Sequence, residues 1–452
     1  MVDPRGCAYY EGLVHDLTFT DANCASVASV GGQSARYAEP MSTQLPWMRA
    51  AQAAGLAQPD GSVLPTVFAE MSELALQHGA VNLGQGFPDD DGPPDVIDAA
   101  VAAIRGGINQ YPPGRGFVEL RQAIVDHQKR FYGLTFNPDT EVLVTAGATE
   151  AIAASLLALA GPGDDVVTLE PYYDAYAAVI GLSGARHVTI PLTEPGFQPS
   201  ATAIDAAITD RTRVIVLNSP HNPTGSILGA EHVERIVAAA KRHDAVIVSD
   251  EVYEHLVYDG QRHTPTVTFA GAAERTLTVS SAAKTFSVTG WKIGWVTGPA
   301  ALIEAVVGVK QWLTYVNGAP FQGAIALGLG LSDGFFDTLR ATMQRRRDLL
   351  AAGLVDAGFT IEQTAGSYFI VADGAALGLT DAAASARALA VDPGVVAIPL
   401  SAFGRPGDAG SAGDTGVASA VSPSALRFAF CKPDAVINEG VRRLRTLQSL
   451  RR

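Results

Sequence analysis

The sequence predicts an α/β protein with a mostly parallel sheet covered by helices on both faces, and a smaller α/β domain beside it. Between residues 141 and 298, short apolar runs rich in β-branched residues alternate with helical patterns. The runs are almost continuously apolar, as expected of strands buried on both faces. The chain has 452 residues, more than one core of usual size supports, so we expect more than one domain.

The elements are expected in a simple order. A helical pattern from residue 66 leads into a strand and a glycine-rich turn at 81–89, and helices follow at 94–105 and 116–132. A helical stretch from 302 to about 354 then connects the large domain to the small one. Seven strands form the predicted large sheet, at 142–144, 166–169, 187–190, 214–217, 246–248, 277–279 and 293–296. Strands of the small domain are predicted at 359–362, 368–371 and 426–430.

Four segments follow from this order. Residues 1–64 form an N-terminal extension, expected to be largely disordered because its first 40 residues show no helical or strand period; Met41 is an alternative natural start. Residues 65–90 are expected to belong to the small domain, 91–330 to form the large domain, and 331–452 to form the C-terminal small domain. The stretch 404–423, rich in Gly, Ala, Ser and Asp, is predicted to be a flexible loop.

Composition limits the possible functions. A hydrophobic content of 47% with 17% charged residues is typical of a well-buried enzyme, and a net charge of −14 argues against nucleic-acid partners. No apolar stretch reaches the ~18 residues that a membrane span needs, and no signal peptide is apparent. The three cysteines, Cys7, Cys24 and Cys431, have no metal-site or disulfide spacing, so we expect a reducing, cytoplasmic location and no metal.

Lys284 is the strongest candidate for chemistry. It lies among small and apolar residues directly after a predicted strand, where a solvated charge is poorly placed. Desolvation and a second cation, Lys292, would lower its pKa and free the amine for Schiff-base formation. Asn222, in the segment NSPHNPTG, and Asp250, in SDEVY, also follow predicted strands directly. Residues just beyond the carboxyl ends of parallel strands converge on one crevice, so we expect the three side chains to meet.

A further segment, TAGATE at 145–150, places a helix start after a strand. Backbone N–H groups of Ala148 and Thr149 could bind a phosphate there, because helix N-termini attract anions. Other motifs were not found: the chain has no GxxxxGK[ST], HExxH or GxSxG pattern. His221 and His255 are interpreted as structural.

The order, spacing and amino-acid sequences of these segments resemble those of the class I/II aminotransferases, which carry pyridoxal 5′-phosphate (PLP) on a lysine. The chain is similar to two branches of the family, the kynurenine/glutamine/methionine aminotransferases and the succinyldiaminopimelate aminotransferases. The resemblance runs from about residue 65 to the C-terminus, interrupted near 404–423. It implies PLP fold type I, the aspartate aminotransferase-like fold, with 91–330 as the PLP-binding domain.

The resemblance also implies roles around the PLP ring. Lys284 would hold the cofactor and move a proton, and Asp250 would pair with the pyridine nitrogen. Asn222 and the Tyr253 hydroxyl would hydrogen-bond the ring oxygen. An aromatic ring covers the cofactor face in such proteins; Tyr173 is preferred here, with Tyr172 as the alternative.

Phosphate, substrate and partner contacts are implied as well. Ser281 and Lys292 match phosphate positions, together with Ala148 and Thr149, although many relatives have arginine where Lys292 stands. Arg427 would bind the substrate α-carboxylate, with Gly86 and Asn222 beside it. Tyr111 would reach the phosphate in a partner subunit, which implies a homodimer. Arg115 is only a weak candidate for a second carboxylate-binding arginine.

The expected function is therefore transfer of an amino group between an amino acid and a 2-oxo acid. An open, partly aromatic side-chain pocket formed by residues 172, 173, 368 and 369 disfavours strict aspartate specificity. N-succinyldiaminopimelate is the preferred substrate, and a kynurenine, glutamine or methionine aminotransferase is the alternative. A cysteine-conjugate C–S β-lyase remains a rival. A PLP-sensing transcription regulator is disfavoured, because residues 1–64 show no basic winged-helix pattern.

Overall fold

The computed structural model describes residues 45–405 and 421–449 of the chain. Its strands are β1 (Val81–Asn82), β2 (Val142–Ala146), β3 (Asp165–Glu170), β4 (Arg186–Thr193), β5 (Gln198–Pro199), β6 (Thr212–Asn218), β7 (Val246–Asp250), β8 (Thr276–Ser281), β9 (Ile293–Thr297), β10 (Thr360–Ile361), β11 (Phe369–Asp373), β12 (Val395–Val396), β13 (Ile398–Pro399) and β14 (Ala425–Ala429). Its helices are α1 (Pro46–Ala53), α2 (Val67–His78), α3 (Pro94–Arg105), α4 (Val118–Tyr132), α5 (Gly147–Leu159), α6 (Asp174–Ser183), α7 (Ala201–Ala207), α8 (Ala230–Arg242), α9 (Ala282–Thr285), α10 (Ala300–Lys310), α11 (Ala319–Leu329), α12 (Asp333–Asp356), α13 (Ala382–Val391), α14 (Asp434–Leu444) and α15 (Thr446–Ser449).

The large sheet has the strand order β2-β9-β8-β7-β6-β3-β4-β5. Strands β8, β7, β6, β3 and β4 run parallel to one another, whereas β9 is antiparallel to both β2 and β8. All seven predicted strands are present, so the prediction of a mostly parallel sheet is confirmed. The two-residue edge strand β5, which pairs antiparallel with β4, was not predicted.

Helices cover both faces of this sheet, and strand β6 shows how. Val214 and Val216 point into a core shared with α5 and α6, whereas Ile215 and Leu217 point into a core shared with α8. All four side chains are almost fully buried. A strand flanked by helices on both sides has no face for polar residues, which explains its uninterrupted apolar sequence.

A second sheet with the order β10-β11-β14-β13 is antiparallel throughout, and β1 forms a separate parallel pair with β12. The β1–β12 pair joins the 65–90 segment to the C-terminal part of the chain, and α2 packs against α13 beside it. The short strands β12 and β13 were not predicted. The domain boundaries at 90/91 and 330/331 stay a prediction.

Two stretches differ from the expected pattern. The helical stretch from 302 to about 354 is three helices, α10, α11 and α12, because residues between them leave helical backbone: Tyr315 and Gly318 have φ of 62° and 53°. Residues 1–44 of the N-terminal extension and residues 406–420 of the predicted flexible loop lie outside the described residues. Residues 45–64, by contrast, form α1 and a β-bridge between Ala57 and Val63, and α1 packs against α6.

Helix α1 is held closely. The backbone of α6 approaches it at Gly181, where a Cβ atom would lie 2.7 Å from the carbonyl oxygen of Arg49. The Arg49 side chain donates through Nε to the carbonyl of Gly181 at 3.1 Å. Within the described ranges, no helix combines the length and the apolar character that crossing a membrane requires.

Candidate active site

A cavity of about 320 Å³ opens where β6, β7 and β8 of the large sheet end. Its walls come from those strand ends, the N-terminus of α5, the start of α6, the turn after β1, and strand β14 of the smaller sheet. The structure brings nearly all sequence-predicted site residues together here: Gly86, Ala148, Thr149, Tyr173, Asn222, Asp250, Tyr253, Ser281, Lys284, Lys292 and Arg427.

Lys284 lies in the single-turn helix α9, which follows β8 directly. Its Nζ lies 3.3 Å from the carbonyl oxygen of Gly86 and 5.5 Å from the centre of the Tyr368 ring. Burial lowers the pKa of Lys284 to about 8, and the charge of Lys292 acts in the same direction, as the sequence predicted. A substantial fraction of the amine is therefore neutral near pH 8 and can act as a nucleophile.

Asp250 is the last residue of β7 and is 5% exposed. Its Oδ2 accepts a hydrogen bond from the Tyr176 hydroxyl at 2.5 Å, and its Oδ1 accepts one from the Val252 amide at 3.3 Å. Burial raises the pKa of Asp250 to about 6, while the bond from Tyr176 opposes that rise. A carboxylate that lines the cavity and keeps its charge near neutral pH can bind a protonated ring nitrogen.

Asn218 connects the ends of β6 and β7. Its amide nitrogen donates to the backbone carbonyl of Asp250 at 2.9 Å, and its amide oxygen accepts from the backbone N–H of Asn222 at 2.8 Å. The sequence analysis did not single out Asn218 or Tyr176. Asn218 could have been identified from the sequence, since it stands at a strand end like Asp250. Tyr176 could not, because an aromatic residue within an apolar helix is typical of a core position.

The N-terminus of α5 forms the floor of one end of the cavity. Gly147 has φ of 75°, which favours glycine, and β9 passes so close that a Cβ atom on Gly294 would lie 2.5 Å from the Gly147 carbonyl carbon. The Nζ of Lys292 lies 3.4 Å from where a Cβ of Gly147 would be. Backbone N–H groups at a helix start and a lysine ammonium beside them make this end suited to a phosphate group.

Arg427 lies in the middle of β14 and is almost fully buried. Its Nη1 donates to the Asn222 Oδ1 at 2.8 Å and its Nη2 to the Gly84 carbonyl at 2.9 Å, whereas Nε has no hydrogen-bond partner among the described residues. The guanidinium carbon lies 3.9 Å from the centre of the Phe369 ring. Burial lowers the pKa of Arg427 to about 10, so the side chain stays charged at neutral pH.

Asn222 and Tyr253 lie between these groups. Because Arg427 binds the amide oxygen of Asn222, any contact from Asn222 to a ligand falls to its amide nitrogen. Burial raises the pKa of Tyr253 above its usual range, so the hydroxyl keeps its proton and can donate it in a hydrogen bond. The hydroxyl of Tyr368 donates to the Gly86 carbonyl, which places the turn after β1 next to Lys284.

Two expectations about the surroundings of the cavity need correction. Tyr173 and Phe369 line the cavity, but the other two members of the predicted aromatic pocket, Tyr172 and Tyr368, do not. The Tyr172 ring packs against His187, 4.9 Å away, and the Tyr368 hydroxyl donates to the Gly86 carbonyl. Arg115 pairs with Glu304 and also lies outside the cavity wall. Among the described residues, Arg427 is the one arginine that lines this cavity.

Tyr111 is the predicted site residue that does not reach the cavity. Its side chain is 81% exposed, and its ring packs edge-on against Tyr315 with the centroids 5.6 Å apart. The two histidines interpreted as structural are both buried. His221 Nδ1 lies 2.7 Å from the Thr224 hydroxyl, and His255 Nε2 lies 2.8 Å from His127 Nε2.

Comparison with known proteins agrees with the fold and the cavity. Residues 79–444 match the family of class I and II aminotransferases, and the chain belongs to that family. It is 51% identical over 384 residues to the "Probable N-succinyldiaminopimelate aminotransferase" of Mycobacterium tuberculosis strain H37Rv, covering 84% of this chain and 96% of that protein. It is 35% identical over 382 residues to the methionine aminotransferase of Escherichia coli K12, with 84% and 96% covered.

Solved structures give the same result. The structure of N-succinyldiaminopimelate aminotransferase from M. tuberculosis matches with a TM-score of 0.81 and 50% identity over 85% of this chain and 97% of that one. An aspartate aminotransferase structure from Thermus thermophilus with maleate matches with a TM-score of 0.75 and 32% identity over 84% and 95%. The resemblance to the aminotransferases and the predicted aspartate aminotransferase-like fold are thus confirmed, and the protein is an aminotransferase.

Proposed function

We propose that this aminotransferase binds PLP in the cavity, with Lys284 as the residue that holds it covalently. One observation carries the proposal: a half-buried lysine with a lowered pKa and a buried carboxylate, Asp250, line the same cavity. The donors present fit the cofactor, because the glycine-lined N-terminus of α5 with Lys292 suits its phosphate. When bound, PLP supplies the electron sink that amino-group transfer requires.

The side chains around the ring have separate tasks. Asp250 holds a proton at the pyridine nitrogen, since its carboxylate lines the cavity and retains negative charge. Tyr253 and the amide nitrogen of Asn222 donate hydrogen bonds to the ring oxygen, and Tyr173 covers one face of the ring. Ala148, Thr149, Ser281 and Lys292 bind the phosphate.

Lys284 has a second task after it has released the cofactor. Its neutral amine takes a proton from the substrate carbon and returns it to a neighbouring atom, as a general base and then a general acid. Arg427 binds the α-carboxylate of every substrate, aided by the backbone at Gly86. The aromatic rings around the guanidinium exclude water from that contact, which strengthens it.

For the amino donor we propose N-succinyldiaminopimelate, with glutamate and its 2-oxo acid as the other pair. The 51% identity to the M. tuberculosis protein supports this choice over kynurenine and methionine, whose named aminotransferases are 32–35% identical. The absence of a second arginine from the described cavity wall is consistent with a larger, acylated side chain. A kynurenine, glutamine or methionine aminotransferase with C–S β-lyase activity is the second candidate.

We also propose a homodimer in which Tyr111 completes the partner's phosphate site. Tyr111 and Trp312 are more than four-fifths exposed, at 81% and 82%, and Tyr315 is 53% exposed. Next to Tyr315, Thr314 donates to Glu150 and Asn317 donates to the carbonyl of Lys292, so this aromatic surface adjoins the proposed phosphate end. Exposed aromatic clusters are typical of interfaces. The cytoplasmic location stays a prediction.

Substrate profiling tests the proposed donor. N-succinyldiaminopimelate, kynurenine, methionine and aspartate are compared with 2-oxoglutarate as acceptor, and kcat/KM should be highest for N-succinyldiaminopimelate by at least about tenfold, the factor that ~1.4 kcal/mol of differential binding gives. A preference for aspartate would contradict the proposed pocket. Release of pyruvate and ammonia from a cysteine conjugate without any 2-oxo acid would instead identify β-lyase activity.

A further inference from the structure

Tyr176 lies behind the proposed cofactor site and has no part in the functions described so far. It is the third residue of α6 and follows Tyr173 by three positions, so both side chains lie on one face of the helix. Their rings meet edge-on with centroids 5.6 Å apart. Tyr173 lines the cavity, whereas Tyr176 is 2% exposed and its hydroxyl lies 2.5 Å from the Oδ2 of Asp250.

The Asp250 carboxylate has few other ways to keep its charge. Burial favours its protonated form, and the other described donor to it is the Val252 amide, at the longer distance of 3.3 Å. The further titratable groups around it are Lys284, Glu251, Tyr173 and Tyr253. Lys284 carries positive charge only when protonated, and Glu251 opposes ionisation of Asp250. A short hydrogen bond to a charged oxygen is therefore the strongest stabilising contact in this set.

We propose that Tyr176 is a positioning residue for Asp250: its hydroxyl binds one carboxylate oxygen, fixes the side-chain rotamer and leaves the carboxylate charged for the pyridine nitrogen. This inference rests on the proposed PLP site. It extends that proposal, because it places control of the ring proton in a side chain that lies outside the cavity.

The Tyr176 hydroxyl should affect where the proton between Asp250 and the pyridine nitrogen resides. The hydroxyl stabilises the carboxylate, and the carboxylate in turn stabilises a protonated ring nitrogen. If the hydroxyl is removed, the buried carboxylate becomes a stronger base, so the proton shared by the ring nitrogen and Asp250 should move from the nitrogen towards the carboxylate. A hydrogen bond to a charged group corresponds to a change of about 10- to 100-fold in the ratio of protonated nitrogen to protonated carboxyl.

The test is ¹⁵N NMR of holoenzyme loaded with PLP that carries ¹⁵N at the pyridine nitrogen. The chemical shift distinguishes protonated from neutral nitrogen and is recorded as a function of pH. Four proteins are compared: wild type, Tyr176→Phe, Asp250→Asn and Tyr258→Phe. Tyr258 is the matched control, because its buried hydroxyl donates to the Ser367 carbonyl, away from Asp250.

The expected pattern is specific. Wild type and Tyr258→Phe should keep the nitrogen protonated over the same pH range. Tyr176→Phe should lower the ratio of protonated to neutral nitrogen near neutral pH by about 10- to 100-fold, because the proton moves to Asp250. Asp250→Asn should lack the nitrogen proton near neutral pH. In addition, kcat should fall in Tyr176→Phe by about 10- to 100-fold with little change in KM, since substrate contacts are intact. A merely structural role would not move the ¹⁵N titration.

Contrary outcomes separate this inference from the proposed function. If wild-type nitrogen is not protonated, or PLP does not bind, the proposed role of Asp250 fails. If wild type and Asp250→Asn differ as expected but Tyr176→Phe titrates like wild type, only the role of Tyr176 is overturned. Should Tyr176→Phe fail to fold, 3-fluorotyrosine at position 176 keeps the ring and donates more strongly. It should move the shared proton further towards the nitrogen, seen as a ¹⁵N shift closer to that of the fully protonated ring, and no change would overturn the inference.

Discussion

Lys284 has the two properties that a lysine needs to capture an aldehyde, access to a cavity and a neutral amine. Burial provides the second, because the charged form loses water; among the described residues, the hydrogen-bond acceptor of Nζ is the Gly86 carbonyl and not a carboxylate. The same burial would be an unexplained cost in a purely structural lysine, since a desolvated cation destabilises a fold.

The rate at which apo enzyme captures PLP should therefore depend on pH in a particular way. Below about pH 8 the amine is protonated, so the capture rate should fall about tenfold per pH unit, and above about pH 8 it should level off. Stopped-flow absorbance measures the rate, and borohydride reduction followed by peptide mapping identifies the modified lysine. A rate that keeps rising towards pH 10.5, or a pyridoxyl mass on Lys292 or Lys310, would rule out this account of Lys284.

Replacement of Arg427 by lysine should weaken binding of the α-carboxylate. Lysine loses the planar pair of donors, and the burial that lowers the pKa of Arg427 to about 10 would lower that of a lysine further. We expect kcat/KM to fall about 10- to 100-fold for every amino donor, the range for a hydrogen bond to a charged group. Each donor is assayed beside its α-amide. Wild type should strongly prefer the acid and Arg427→Lys much less, whereas an unchanged preference would place the carboxylate elsewhere.

Single residues were predictable where chemistry and position agree. Asn222, Asp250 and Lys284 were found because polar side chains stand directly after apolar strands, and the parallel sheet brings those ends together. Tyr176 was not found, because its role depends on a hydroxyl that reaches Asp250 across 74 positions of sequence. The choice between Tyr172 and Tyr173 needed the structure, since either could precede α6 with its ring towards the cavity.

At the scale of elements, the contact between β9 and the start of α5 fixes the proposed phosphate end. The backbones touch at Gly294 and Gly147, and Lys292, just before β9, adopts a left-handed conformation with φ of 53°. Three backbone positions with little freedom thus place a helix N-terminus and a cation together.

A methyl group at Gly294 should disturb this contact more than the rest of the fold. Gly294→Ala puts Cβ within 2.5 Å of the Gly147 backbone, and overpacking of this kind costs about 1–3 kcal/mol. We expect a lower midpoint of thermal unfolding and a PLP affinity at least about tenfold weaker, measured by fluorescence titration. The control is Gly323→Ala in α11, where nothing lies within 4 Å of a new Cβ. Equal PLP affinity in both variants would mean that the β9–α5 contact does not shape the site.

The longer strands of the large sheet were predicted from their apolar sequence, whereas three of the five two-residue strands in the described chain were not. The seven longer strands of the large sheet can be predicted because their sequences are apolar and rich in β-branched residues. Strands β5, β12 and β13 have two residues each, and their pairing depends on neighbouring elements rather than on their own sequence. The break between α10 and α11 carries Trp312 and Leu313, which suit a helix. Lys310 stabilises this non-helical segment, because its Nζ donates to the Tyr315 carbonyl at 2.6 Å. The amino-acid composition of the segment does not predict that contact.

For the molecule as a whole, the exposed aromatic surface around Tyr111 decides whether one chain is a complete enzyme. A single chain leaves Tyr111, Trp312 and Tyr315 largely in water, beside the proposed phosphate end. Burying such side chains against a second copy is favourable by about 25 cal/mol per Å² of apolar area. It would also bring a tyrosine hydroxyl into the neighbouring site.

Mixed dimers test this arrangement. Lys284→Ala and Tyr111→Phe chains, each with a different affinity tag, are combined, and heterodimers are isolated by two successive affinity steps. If Tyr111 serves the partner's site, the site on the Tyr111→Phe chain has its own Lys284 and a tyrosine from the other chain. One native site per heterodimer should then give about half of the wild-type activity, well above either parent.

The control combines Lys284→Ala with Asp250→Asn. Both residues line the cavity of one chain, so each site in that heterodimer lacks one of them and activity should not return. Recovery in the first pair alone therefore identifies Tyr111 as the residue that crosses the interface. If verified heterodimers of the first pair stay as inactive as the control, Tyr111 does not complete the partner's site. The exposed aromatic surface would then need another explanation than a shared active site.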